Sequence, residues 1–113
     1  MRVDAMLAAM REATGSTANV IHADAEFLAK QKVGPWMDLP TWVPGQGQTA
    51  GFARVSNARA VQAGLTFRPV GVTAADTLAW FNTLPEARRT KLRAGLSAER
   101  ETAALKAWRE RVT

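Results

Sequence analysis

His22 is the only histidine in the chain, and cysteine and tyrosine are both absent. That inventory closes off several chemistries at once. Without cysteine there is no disulfide, no thiolate nucleophile and no Cys-based zinc site. A lone histidine supplies no metal constellation, and a Ser-His-Asp site would need convergence from distant parts of the chain. With the β-branched Val20 and Ile21 beside it, His22 reads as a structural strand residue. A Tyr/Lys proton-transfer pair for carbonyl reduction cannot be assembled from these residues. The acidic residues occur singly, which gives no support to a carboxylate pair for glycoside hydrolysis. Asp24 and Asp76 read instead as helix-end residues. Gly45, Gly47 and Gly51 follow no strand of a βαβ unit and precede no Lys-Ser/Thr, so they mark an ordinary loop rather than a phosphate cradle. Trp36 and Trp42 are different. Each offers a rigid aromatic face with a polar N–H, which suits a small-molecule site as well as it suits packing beneath a loop.

The elements that must position these residues follow from spacing. Val3, Met6, Leu7 and Met10 fall on one stripe of an amphipathic helix that Gly15 ends. Residues 18–22 read as a short strand. Asp24 caps a short helix that carries Phe27 and Leu28 inward and stops before Gly34-Pro35. Between Gly34 and Pro44 three prolines and two tryptophans exclude a long helix or a central strand. The prolines fix φ, so residues 35–44 are expected to be ordered and residues 45–51 to be the mobile part. Ser56 caps a helix ending at Gly64, and residues 65–70 read as an edge strand or extended segment. Thr73-Ala74-Ala75-Asp76 has the spacing of a capping box, opening a helix through Leu78, Trp80 and Phe81 to Leu84. A polar turn or short helix spans Glu86 to Leu92. Ser97 caps a last helix whose stripe is Glu101, Leu105, Trp108 and Val112. Trp80 and Trp108, both on helices, read as core or interface residues. The expected fold class is α+β: a mainly helical small domain of about five helices with two or three short strands.

At 113 residues, 47% of them hydrophobic and 22% charged, the chain has the composition and length of one globular domain, residues 1–113. No run is long and apolar enough for a membrane span, the N-terminus lacks the apolar core of a signal peptide, and the expected compartment is cytoplasmic. The net charge of +5 is unevenly spread. Residues 1–40 hold four basic and five acidic side chains, residues 41–113 eleven and five, with the densest cluster at Arg88-Arg89-Thr90-Lys91-Leu92-Arg93. A phosphate-binding tail is one reading, which would make the chain a small basic adaptor for nucleic acid or an acidic protein. Glu86, Glu99, Glu101 and Glu110 favour the other reading, a solvated helix face.

Several segments occur in a familiar order: Met6–Gly15, Asp24–Leu28, Pro35-Trp36-Met37-Asp38-Leu39-Pro40-Thr41-Trp42-Val43-Pro44, Gly51–Ala60, Ala63–Pro69 and Asp76–Trp80. In that order and spacing the chain resembles, over roughly residues 3–111, the C-terminal region of extended short-chain dehydrogenase/reductases. These are the NAD-dependent epimerase/dehydratase and isoflavone-reductase-like proteins. The resemblance implies a substrate-binding lobe without the family's Rossmann domain, glycine fingerprint or Tyr-x-x-x-Lys pair. It describes a truncated fragment, a separately expressed lobe or a stand-alone descendant. It therefore implies no catalytic, cofactor-binding or metal residue in this chain, with NAD or NADP belonging to the parent enzyme. The substrate-facing stretch would be residues 36–59, with Trp36, Trp42, Phe52, Asn57 and Arg59 as substrate-binding residues. Arg59 could grip an anionic group with both prongs, or simply lie on a helix surface. The implied partners are a small-molecule substrate and either a Rossmann domain or a second copy of the chain. Self-association is expected from apolar surface on the helices bearing Met6/Met10 and Leu78/Phe81.

Overall fold

The computed structural model describes residues 1–111, and their regular structure is helical. Six α-helices occur among them: α1 (Val3–Thr14), α2 (Ala25–Lys30), α3 (Ala58–Gln62), α4 (Val70–Asn82), α5 (Glu86–Arg89) and α6 (Ala98–Glu110). Single 3-10 turns lie at Gly47–Thr49 and Phe52–Arg54. None of the described helices is long and apolar enough to cross a membrane.

The helix ends are set by local chemistry. After α1, Gly15 takes a left-handed conformation (φ 65°), and the Gly15 and Ser16 N–H groups donate back to the Glu12 and Arg11 carbonyls. That pairing satisfies carbonyls the helix would otherwise leave open. Gly64 (φ 103°) and Leu65 repeat the arrangement after α3, donating to Val61 and Ala60. After α2 the same motif places Lys32 at φ 56°, with Val33 donating to Leu28. At the other ends, Asp24 accepts from the Phe27 N–H (2.7 Å) and Ser97 from the Arg100 N–H (3.3 Å), as N-caps do.

The expected strands are not formed. Among the described residues there is no sheet, only an isolated bridge between Pro35 and Leu39, so the fold is all-α rather than α+β. Residues 18–22 run without regular structure, with Val20 40% and Ile21 46% exposed and His22 also exposed. β-branched residues favour extended backbone, but a strand also needs a neighbour to exchange N–H and C=O bonds with, and the described residues supply none in a ladder. Residues 65–69 are irregular for a second reason: Pro69 is the N-cap of α4, and Val70 already belongs to that helix. The residue before a proline is pushed to extended geometry without any ladder. Arg68 pairs with Asp76, tying this segment to α4. Thus α4 begins at Val70, before the Thr73–Asp76 spacing. The helix expected from Ser56 has Asn57 at its N-cap position and runs from Ala58.

The chain divides into two compact units, each assembled from two separate stretches. The first comprises Met1–Val20 and Asn57–Lys91, carrying α1, α3, α4 and α5. Here α1 packs on α4. The seam is made by small residues: a Cβ placed on Gly71 would lie 3.2 Å from the Ala13 Cβ and 3.5 Å from the Ala9 carbonyl, and Ala74 is buried beside it. Close approach of backbones is what glycine permits. Of the expected α1 stripe, Met6 and Leu7 are half-buried, whereas Val3 (65%) and Met10 (37%) are exposed.

The second unit comprises Ile21–Ser56 and the stretch from Leu92 onward, carrying α2, the Pro-Trp loop, both 3-10 turns and α6. Phe27 of α2 meets Trp108 of α6 edge to face, with ring centroids 4.9 Å apart and planes at 75°. Val33, the hydrophobic residue that closes α2, is buried. On the α6 stripe Leu105 and Trp108 are half-buried and Glu101 is exposed; Val112 lies outside the described residues. Burial is sparse in both units: Val33 and Ala74 are the buried hydrophobic residues, and Trp36, Phe52, Phe67 and Trp80 are each more than half exposed.

Candidate functional site

The Pro-Trp loop holds its shape through a small set of converging bonds. The Trp36 N–H donates to the Trp42 carbonyl (3.0 Å), and the Trp42 N–H donates to the Leu39 carbonyl (3.1 Å). Trp36 (φ 66°) and Thr41 (φ 70°) both take left-handed backbone conformations that L-residues with a Cβ rarely occupy. Strain of this kind persists only where surrounding contacts over-determine it, and it concentrates at functional sites.

Those contacts centre on Asp38. Its two carboxylate oxygens take both prongs of the Arg100 guanidinium, Nη1 to Oδ1 at 2.6 Å and Nη2 to Oδ2 at 3.0 Å. Oδ2 also accepts the Gly34 N–H (2.7 Å), and Arg100 Nη2 donates in addition to the Lys32 carbonyl (2.9 Å). A further strap runs from the Gly95 N–H to the Met37 carbonyl (2.7 Å). The Arg100 guanidinium, and after it the Gly34 N–H, hold the Asp38 carboxyl below its ordinary range, and Asp38 in turn holds Arg100 above its own. Bidentate pairing of this geometry fixes orientation as well as charge.

Of the residues named from sequence, three meet in this unit. Trp36 and Phe52 form an edge-to-face pair, centroids 5.9 Å apart and planes at 81°, with 53% and 55% of each residue exposed. Trp42 is half-buried and anchors the loop through its backbone. The two tryptophans therefore divide the work: one holds, the other is presented. Asn57 and Arg59 are exposed and belong to the other unit, at the start of α3. Residues 45–51, which lack prolines, are clasped differently. The Thr49 hydroxyl donates to the Pro44 carbonyl and to the Gln46 carbonyl, closing the turn at Gly47–Thr49.

Sequence reasoning missed Asp38 and Arg100. Arg100 was one basic residue among many, and its partner lies 62 positions away. The available signal was a single acidic residue inside a proline-rich aromatic segment, where a carboxylate has few local donors. A shallow groove of about 420 Å³ runs elsewhere, along the end of α1, lined by Ala8, Arg11, Glu12, Gly15 and Ser16; none of the expected site residues lines it.

The Gly45–Gly51 segment leads into a 3-10 turn rather than into the first turn of a helix. A dinucleotide pyrophosphate is held by a glycine turn that opens a helix after a strand, and the Gly45–Gly51 segment does not form that cradle. Among the described residues no three His, Asp or Glu side chains gather as a metal site. No family model, curated protein or solved structure matches the chain.

Proposed function

We propose that this chain is the substrate-binding lobe of an NAD(P)-dependent reductase or epimerase-like protein, cytoplasmic and not catalytic by itself. The observation that carries the reading is the exposed Trp36–Phe52 pair, at positions that the resemblance implies would face substrate. A rigid aromatic edge held on a strained, cross-braced loop offers an apolar wall with an indole N–H, a form suited to selecting a small molecule. Catalysis and the nucleotide belong, on this reading, to a partner Rossmann domain. Sparse burial supports a partner as well, because large apolar side chains left open are the ordinary mark of surfaces that meet another protein or domain.

Titration calorimetry with NADH and with NADPH tests the assignment. The chain alone should give no binding heat at micromolar nucleotide; a micromolar dissociation constant for either would overturn the reading. Binding to duplex DNA that weakens steeply with salt would support the basic adaptor instead.

A further inference from the structure

We propose that Asp38 and Arg100 are positioning residues for the Trp36–Phe52 surface: their two-pronged pair closes the loop around Trp36 and sets the angle at which the indole is presented. The inference rests on the reading that this surface faces substrate, and it adds the residues that fix its geometry.

Gly34 and Asp38 are the two ends of a five-residue loop, closed by the Gly34 N–H to the Asp38 carboxylate, with Trp36 at its apex. The loop is short, so any rotation of the Asp38 side chain is felt at Trp36. Arg100 fixes that rotation because it engages both carboxylate oxygens at once and is itself held by the Lys32 carbonyl. Its backbone is fixed too, by the Ser97 cap at the start of α6. The end of α2, the loop and the first turn of α6 thus meet at a single guanidinium. Trp36 needs such support, because its left-handed backbone is disfavoured for any residue with a Cβ. A lysine in place of Arg100 keeps the charge but loses the planar fork.

NMR of the full chain is the test. Trp36 and Phe52 are close enough for ring-to-ring cross-relaxation, and Phe27 with Trp108 supplies an internal reference in the same unit. In Arg100→Lys the Trp36–Phe52 cross-peaks should fall at least several-fold and the Trp36 indole N–H should move toward its value in an unstructured peptide. The Phe27–Trp108 cross-peaks should persist. Asp38→Asn should give the same selective loss, and Asp38→Glu, which keeps a carboxylate, should restore part of it. Retention of the Trp36–Phe52 cross-peaks in both Arg100→Lys and Asp38→Asn would overturn the proposal. So would collapse of the whole spectrum in both, since the pair would then support the fold at large rather than Trp36. These spectra contain no substrate, so their outcome stands apart from whether the surface faces one.

Discussion

Where α1 meets α4, Gly71 and Ala74 let two helices approach through small apolar groups. In the other unit the Pro-Trp loop is held by charge-assisted hydrogen bonds around Asp38, and Phe27 of α2 packs edge to face on Trp108 of α6. The first kind of contact depends on volume and is indifferent to protonation. The second depends on a carboxylate staying ionised and on one arginine keeping its orientation. The helix seam asks only for small side chains at the crossing, whereas the shaped loop needs partners of defined charge and geometry.

The largest effect expected is from Trp108→Ala, which removes the aromatic contact between α2 and α6. It should cost about 3 kcal/mol, at the low end for such truncations because the ring is half-buried, read as a lower urea midpoint. Gly71→Val tests the opposite unit. Its side chain must intrude where a Cβ already comes within 3.2 Å of Ala13, so a loss of about 2 kcal/mol is expected, with faster hydrogen exchange in α1 and α4. An unchanged midpoint would show that the seam opens freely, and the contrast with the braced loop would shrink.

Acid should affect the two kinds of contact differently. Asp38 titrates below its ordinary unfolded value of about 3.9, so its stabilisation is present above that value and is lost as pH falls through the folded one. Protection factors across the loop, which divide out the intrinsic slowing of exchange in acid, should therefore fall in that window, and Asp38→Asn should lower them at neutral pH while flattening their pH dependence. The smallest effect expected is a gain. Lys32 sits at φ 56°, where glycine carries no Cβ penalty, so Lys32→Gly should raise stability by about 0.5–1 kcal/mol in chemical denaturation. A loss would mean that the lysine side chain contributes more than its backbone strain costs.

The elements legible in the sequence are those whose cause lies within a few residues. Gly15 and Gly64 end helices because they alone accept a left-handed backbone cheaply, and Asp24 and Ser97 cap helices because their oxygens reach an N–H three residues on. The proline-rich loop was legible for the same reason, as was its division from the helices on either side. The start of α4 was less so. Pro69 at its N-cap and Thr73-Ala74-Ala75-Asp76 inside it are both acceptable helix openings, and the bond from Arg68 to Asp76 lies beyond local spacing.

What tertiary structure decided is everything that required a partner from far along the chain. Residues 18–22 and 65–69 have strand-like composition, yet a strand is a property of two segments, and no second one pairs with either among the described residues. Periodicity placed Val3, Met6, Leu7 and Met10 on one stripe, but tertiary packing determined that Met6 and Leu7 are half-buried while Val3 and Met10 are exposed. The roles of Trp36 and Trp42 could not be separated by composition; exposure separates them, with Trp36 more than half open and Trp42 half-buried. Local propensity acts over one helical turn, while exposure and side-chain orientation depend on which distant atoms arrive, and that is why the sequence named the loop and the fold chose its presented face.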